Sequence, residues 1–233
     1  SFPLLRDGEI ESDLEKEGFM GHGWTGEKVR LVPLDRERHI DNALAWINDP
    51  ELTARTQVGD FPIARSTEEA YFDHCTSQPA LSPSEIHFAV ETLDGVHVGM
   101  CGILKIDWRH GVGETGTLIG PDFRGKGYGR DAVRVRTRYA FEAAGLRLLL
   151  AQVFADNIPS KRALLAAGYR EVGVIPQRQW KRGAYRDMIQ LALLREGARR
   201  FRNQSASCSP HASPTHRVPA NMTQIDSETG ELP

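Results

Sequence analysis

Apolar positions switch between two periods along the chain, and the switches outline a mixed α/β core between two polar ends. Residues 29–33 read as a short strand. Residues 35–48 carry Ile40, Ala43, Leu44 and Ile47 at helical spacing, and Pro50 is expected to stop that helix. Ser66-x-x-Glu69 has the form of a capping box, which predicts a second helix through about Ser77. Three strands are expected at 85–92, 98–106 and 114–119. Asp94-Gly95 joins the first two as a tight turn, and His110-Gly-Val-Gly113 joins the next pair. The clearest helix runs over 127–144, with Val133, Ala140, Phe141 and Ala144 on its apolar face and Gly145 as a stop. Residues 146–154 are nearly all apolar, as in a strand covered on both faces. A short helix over 157–167, stopped by Gly168, and strands at 169–176 and 185–194 complete the pattern.

The two ends read differently. Residues 1–25 are acidic and broken by glycine, and a solvated arm is expected. Residues 197–233 are rich in Ser and Pro and hold too few large apolar side chains to build a core, so a disordered tail is expected. One domain, 26–196, remains.

Composition narrows the function. With 233 residues and 26% charged side chains, the chain suits an ordinary globular protein with one sizeable core. A net charge of −2 argues against a nucleic-acid binder. There is no apolar run long enough for a membrane span, and no charged start followed by an apolar run, so neither a membrane anchor nor a signal peptide is expected. Cys75, Cys101 and Cys208 form no close pair, which suits a reducing, cytoplasmic setting. The eight histidines show no metal-ligand spacing, so no metal is expected. The sequons at Asn203 and Asn221 match a weak pattern and are read as chance.

The chemistry gathers at Ile119-Gly-Pro-Asp-Phe-Arg-Gly-Lys-Gly-Tyr-Gly-Arg130. Gly120-x-x-x-x-Gly125-Lys126 begins a nucleotide P-loop, but Gly127 stands where a Mg²⁺-binding hydroxyl is needed. Gly125-x-Gly127 begins a dinucleotide fingerprint, but Arg130 replaces its third glycine. The stretch still lies between a strand and a helix. Free N–H groups in the first helical turn favour an anion, glycines let the backbone approach, and Arg124, Lys126 and Arg130 add positive charge. A phosphate or diphosphate is the expected guest.

Arg124-Gly-Lys-Gly-Tyr-Gly129 also meets the pattern [RQ]-x-x-G-x-[GA]. With Val29–Leu34 followed by Trp46–Glu51, with 113–129, and with 157–169, it resembles the GNAT acyl-CoA N-acyltransferase superfamily, on its RimJ/RimL side, over about residues 26–195. The resemblance implies an α+β, mixed α/β fold: a splayed, mostly antiparallel sheet of about seven strands flanked by helices. It implies acetyl-CoA as cosubstrate, with its diphosphate on Arg124, Gly125, Lys126, Gly127, Tyr128, Gly129 and Arg130. Backbone groups of Leu118 and Ile119 would meet the pantetheine arm, and Asn157, Ser160 and Lys161 would lie along the CoA. Glu114, at the start of the strand leading into the loop, is the candidate general base. Asp107, His110 and Glu91 stand behind it. Many members carry a Tyr where this chain has Leu164, so Ser160 is the candidate donor to the leaving sulfur. The partners implied are acetyl-CoA and an amine, a protein N-terminal α-amine or a small amine such as a polyamine, amino sugar or aminoglycoside. A homodimer is left open, as is a non-catalytic acyl-CoA-binding module.

Overall fold

A computed structural model describes residues 24–58 and 61–195. Nearly all of the expected N-terminal arm and the whole Ser/Pro-rich tail lie outside them. Among the described residues a single eight-stranded sheet has the order β1-β2-β3-β4-β5-β6-β8-β7. The strands are β1 (Trp24–Thr25), β2 (Val29–Pro33), β3 (Ile86–Thr92), β4 (His97–Asp107), β5 (Val112–Ile119), β6 (Leu148–Phe154), β7 (Arg170–Lys181) and β8 (Ala184–Leu194). The helices are α1 (Arg36–Ile47), α2 (Pro50–Thr53), α3 (Arg65–Thr76), α4 (Tyr128–Glu142) and α5 (Ile158–Ala166). No helix among the described residues is long and apolar enough to cross a membrane.

All strand pairings are antiparallel except β5 with β6. The helix α4 makes the crossover between these two. Its inner face, Ala132, Val133, Val135, Ala140 and Phe141, is buried against the sheet. On one side of β5 this face joins Val29, Leu31, Phe88 and Val90. On the other it joins Leu146, Leu149, Leu191 and Leu193. The opposite face of the sheet is covered by α1 and α3 through Ile40, Ala43, Phe72 and Cys75.

Some boundaries differ from the sequence pattern, each for a local reason. Trp24 and Thr25 join the sheet instead of the arm, because Trp24 packs edge-on against Tyr139 with Arg138 over its ring. The buried stripe of α1 turns toward His39 and Trp46, with Leu44 and Ile47 only half-buried, because His39 reaches the buried Glu91. The helix α1 does end just before Pro50, as expected, but that residue has a further role. It starts α2, where Asp49 caps Leu52 N–H at 2.6 Å and the missing proline N–H costs nothing. The expected capping box does not form. Ala64 is the N-cap of α3 without a side-chain bond, and Glu69 pairs with Arg36 at 3.2 Å. Finally β7 runs past Pro176 to Lys181. A bulge between Ile175 and Gln179, with Gln177 at φ 49°, absorbs the proline on this edge strand.

Candidate active site

The parallel ladder between β5 and β6 is short. Its last registered pair is Glu114 with Leu150. The Leu150 carbonyl accepts from the Thr115 hydroxyl at 3.0 Å, so a side chain closes the apex where another rung would follow. Beyond it Thr115–Ile119 and Ala151–Phe154 part, and all five β5 residues there are half-exposed. The sheet is therefore splayed, as the resemblance implies.

The edge of β5 that faces this gap follows from strand alternation. Gly120 N–H donates to Val98 at 2.9 Å, so alternate residues back along β5 also turn their main-chain groups toward β4. Leu118 is one of these. Thr117 and Ile119 present their N–H and C=O groups to the gap. Of the two residues expected to meet an extended ligand there, Ile119 is so placed and Leu118 is not.

At the mouth of the gap a 3₁₀ turn at Pro121–Phe123 leads into the glycine loop. Gly125 and Gly127 take φ of 74° and 90°, which side chains rarely adopt, and Gly127 is the N-cap of α4. The first-turn N–H groups of α4 thus open onto the loop, with Arg124, Lys126 and Arg130 exposed around it. Lys28 supplies a further cation that sequence reading missed. Its Nζ donates to the Lys126 carbonyl at 2.9 Å. Asp131 holds it there by accepting from Lys28 N–H (2.7 Å) and Val29 N–H (3.1 Å). A conserved-looking spacing could not have revealed Lys28, which lies about a hundred residues away in the chain.

Across the gap Asn157 caps α5 by accepting from Ser160 N–H at 3.3 Å, and its amide donates to the Arg55 carbonyl at 3.0 Å. Ser160 is half-buried in the first turn, and Lys161 Nζ is paired with Glu171 at 2.7 Å. Leu164 is buried in the core, so this side chain offers no acid. The chain after α2 straps the open end. Gln57 donates to the Gln152 carbonyl at 3.3 Å and accepts from Gln179 at 2.8 Å, while Lys181 Nζ donates to Val58 at 2.8 Å.

Glu114 shares a sheet face with Gly116 and Leu118, opposite α4, because Thr117 is bound from the α4 side by Arg136. Its side chain is 36% exposed and pairs with Lys105 Nζ at 2.9 Å. Lys105 sits at the β4 bulge with φ 48°, and its side chain is 72% exposed. Such an open pair is weak and easily exchanged. The other candidate bases are placed elsewhere. Glu91 is buried between Arg30, Arg38 and His39. Burial would raise its carboxyl, but those three partners outweigh it and hold the group below the usual range. Asp107 and His110 pair with each other at 2.7 Å in the turn before β5. Among the described residues no group of three or more His, Cys, Asp or Glu stands ready to hold a metal ion.

The family model described as the acetyltransferase (GNAT) domain matches residues 28–170. The chain belongs to the GNAT acetyltransferase family. It is an acyltransferase by that membership. A relative named uncharacterized N-acetyltransferase p20, from Bacillus licheniformis, is 29% identical over 172 residues, 72% of this chain and 94% of its own. Spermidine N(1)-acetyltransferase of Vibrio cholerae is 24% identical over 127 residues, 54% of this chain and 70% of its own. A crystal structure of spermidine N-acetyltransferase from Vibrio cholerae with CoA and spermine superposes with a TM-score of 0.65 at 20% identity, over 73% of this chain and 97% of that one. The fold is thus the GNAT fold, with a mostly antiparallel sheet of eight described strands where the pattern predicts about seven.

Proposed function

We propose that this GNAT acetyltransferase moves an acetyl group from acetyl-CoA to a primary amine by direct attack, with no covalent enzyme intermediate. The observation that carries the reading is the parting of β5 from β6 beside the glycine-capped start of α4. The donor's diphosphate suits the 124–130 loop, where helix N–H groups, two glycines at positive φ and the loop cations converge. Its pantetheine arm suits the open edge of β5 at Thr117 and Ile119, with Asn157, Ser160 and Lys161 on the far side.

Glu114 accepts a proton from the incoming amine, directly or through water, after that amine displaces Lys105. The nitrogen lone pair forms the new C–N bond at the thioester carbon. The carbonyl electron pair moves onto oxygen, where a gap-facing N–H of β5 holds it. Collapse breaks the C–S bond. The Ser160 hydroxyl donates to the departing sulfur, which ends as a thiol with a proton drawn from solvent.

The acceptor we propose is a protein N-terminal α-amine, in line with the RimJ/RimL resemblance. The rim favours it, because Arg55, Arg178 and Arg182 are exposed around the strap and the β7–β8 turn and would repel a polycation. A polyamine is the second reading, favoured by the likeness to spermidine acetyltransferases. Thiol release from acetyl-CoA with a panel of N-terminal peptides, spermidine and an aminoglycoside tests both. Faster turnover of peptides supports the first acceptor and faster turnover of spermidine the second. Tight CoA binding with no release for any amine would instead make the chain an acyl-CoA-binding module.

A further inference from the structure

One side chain beneath β5 breaks the pattern of its helix. Arg136 lies on the inner face of α4 among Ala132, Val133, Val135 and Ala140, and it is 1% exposed. Its Nη1 donates to the Gly116 carbonyl at 2.7 Å and to the Thr117 hydroxyl. Its Nε and Nη2 are buried and meet no acceptor, and it has no carboxylate partner among the described residues. A buried cation with unmet donors and no carboxylate partner is costly to keep. A methionine or leucine could tie this helix to the sheet without that cost. Departures of this kind from good packing concentrate where a protein works.

The bond to Gly116 has a consequence for the opposite end of the same peptide. A trans peptide points its carbonyl and its N–H in opposite directions. The Gly116 carbonyl lies on the β4 side, so the Thr117 N–H of that peptide faces the gap, in agreement with the alternation along β5. Of the two donors on this edge, Thr117 is one pleat farther than Ile119 from the glycine loop. The thioester, at the far end of the arm from the diphosphate, arrives on that side.

We propose that Arg136 is a positioning residue for acyl transfer, which charges the Gly116–Thr117 peptide so that its N–H becomes the oxyanion donor. A hydrogen bond from a guanidinium to a carbonyl is charge-assisted, and it polarises the peptide so that its N–H donates more strongly. The same Nη1 also holds the Thr117 side chain, and Thr115 is pinned to Leu150. The donor is therefore fixed before the reaction, the condition under which such groups are most effective. The buried positive charge adds a favourable field for the developing oxyanion.

This proposal rests on the placement of acetyl-CoA given above, and the test separates the two. Arg136→Met fills a similar volume without charge. Arg136→Lys keeps a charge and a donor. Three quantities decide: steady-state kinetics with the best amine, thermal unfolding, and the infrared carbonyl stretch of bound acetyl-CoA carrying a ¹³C-labelled acetyl carbonyl, without amine. For Arg136→Met we expect kcat to fall about tenfold with KM for acetyl-CoA changed by no more than about twofold. The carbonyl stretch should move back toward that of free thioester, and the melting temperature should stay level or rise. Arg136→Lys should recover part of kcat and part of the carbonyl shift. A wild-type kcat and carbonyl stretch in Arg136→Met overturns the proposal. So does a kcat loss in both variants that only follows the folded fraction or a parallel loss of CoA binding, since Arg136 would then be structural. Failure of the wild-type protein to bind acetyl-CoA sinks the placement itself.

Discussion

The two walls of the cleft are built in different ways. Most of the wall that faces the proposed donor comes from one stretch of chain, from Val112 on β5 through the glycine loop to Arg136 on α4. The acceptor side is assembled from distant pieces: the strap after α2, Lys105 at the β4 bulge, and the far end of β7. The first wall depends on backbone geometry, where a single wrong side chain is decisive. The second depends on several ordinary polar contacts, where each loss is tolerated. Substitutions on the two walls should therefore differ in size and in the kinetic constant they change.

The largest effect is expected at Gly127. Its φ of 90° places a β-branched residue in a region that costs roughly 1–2 kcal/mol, and a Cβ there would stand 3.2 Å from Lys28 Nζ. A valine would also fill the space that helix N–H groups offer to an anion. Gly127→Val should weaken acetyl-CoA binding about 100-fold by calorimetry while the folded fraction stays high. Wild-type affinity would remove the glycine loop from the donor site.

Glu114→Gln comes next and should separate the walls. The substitution keeps the shape but removes the proton acceptor. We expect kcat to fall about 30-fold, with a changed pH dependence and unaltered acetyl-CoA affinity. An unchanged rate would take Glu114 out of the mechanism. Gln57→Ala should do less. It removes one bond to Gln152, worth about 1 kcal/mol, so KM for the amine should rise about fivefold with kcat and CoA affinity held. An equal loss of CoA affinity would show that the strap belongs to both walls.

The same contrast explains what the sequence made legible. The glycine loop, the helix after it and the Asn157 cap are local, and their residues announce themselves through φ demands and capping chemistry. The splay was expected from the family resemblance, and the short β5–β6 ladder agrees with it. Arg136 was passed over, because an arginine amid Val133, Val135 and Ala140 reads as a break in an apolar stripe. Lys28, Thr115 and Gln57 act only on partners far away in sequence, and no spacing exposes such partners. That Thr117 and not Leu118 turns its main-chain groups to the gap depends on strand register with β4, which no local pattern reveals. The capping box at Ser66 failed for a related reason, since Glu69 found Arg36 instead.

The smallest effect is expected where the two walls share a foundation. Trp46 on α1 packs on the root of the loop: a Cβ on Gly120 would stand 2.5 Å from its indole. Beneath it lies His97, with ring centroids 4.8 Å apart, and His39 is on the other side at 4.6 Å. The Gly99 carbonyl can only accept, so His97 Nε2 carries the proton (2.9 Å) and Nδ1 accepts from Asn42 at 3.3 Å. Burial, helped by the neighbouring His39 and Arg38, pushes the His97 pKa down to about 4, against the opposing pull of Gly99 and Glu91. An unfolded chain takes up this proton near pH 6.5, whereas the folded one resists until near pH 4. The contribution of neutral His97 is complete above the unfolded value and is lost as pH falls between the two. Between pH 7 and pH 5 the wild-type melting temperature should therefore drop a few degrees more than that of His97→Gln, judged by slope and not by absolute value. Parallel slopes would mean that the folded protein takes up the His97 proton near the same pH as the unfolded chain and carries it as a cation at pH 5. The Trp46 platform would then rest on a cation, and the loop and strap would be held together by a different interaction from the one described.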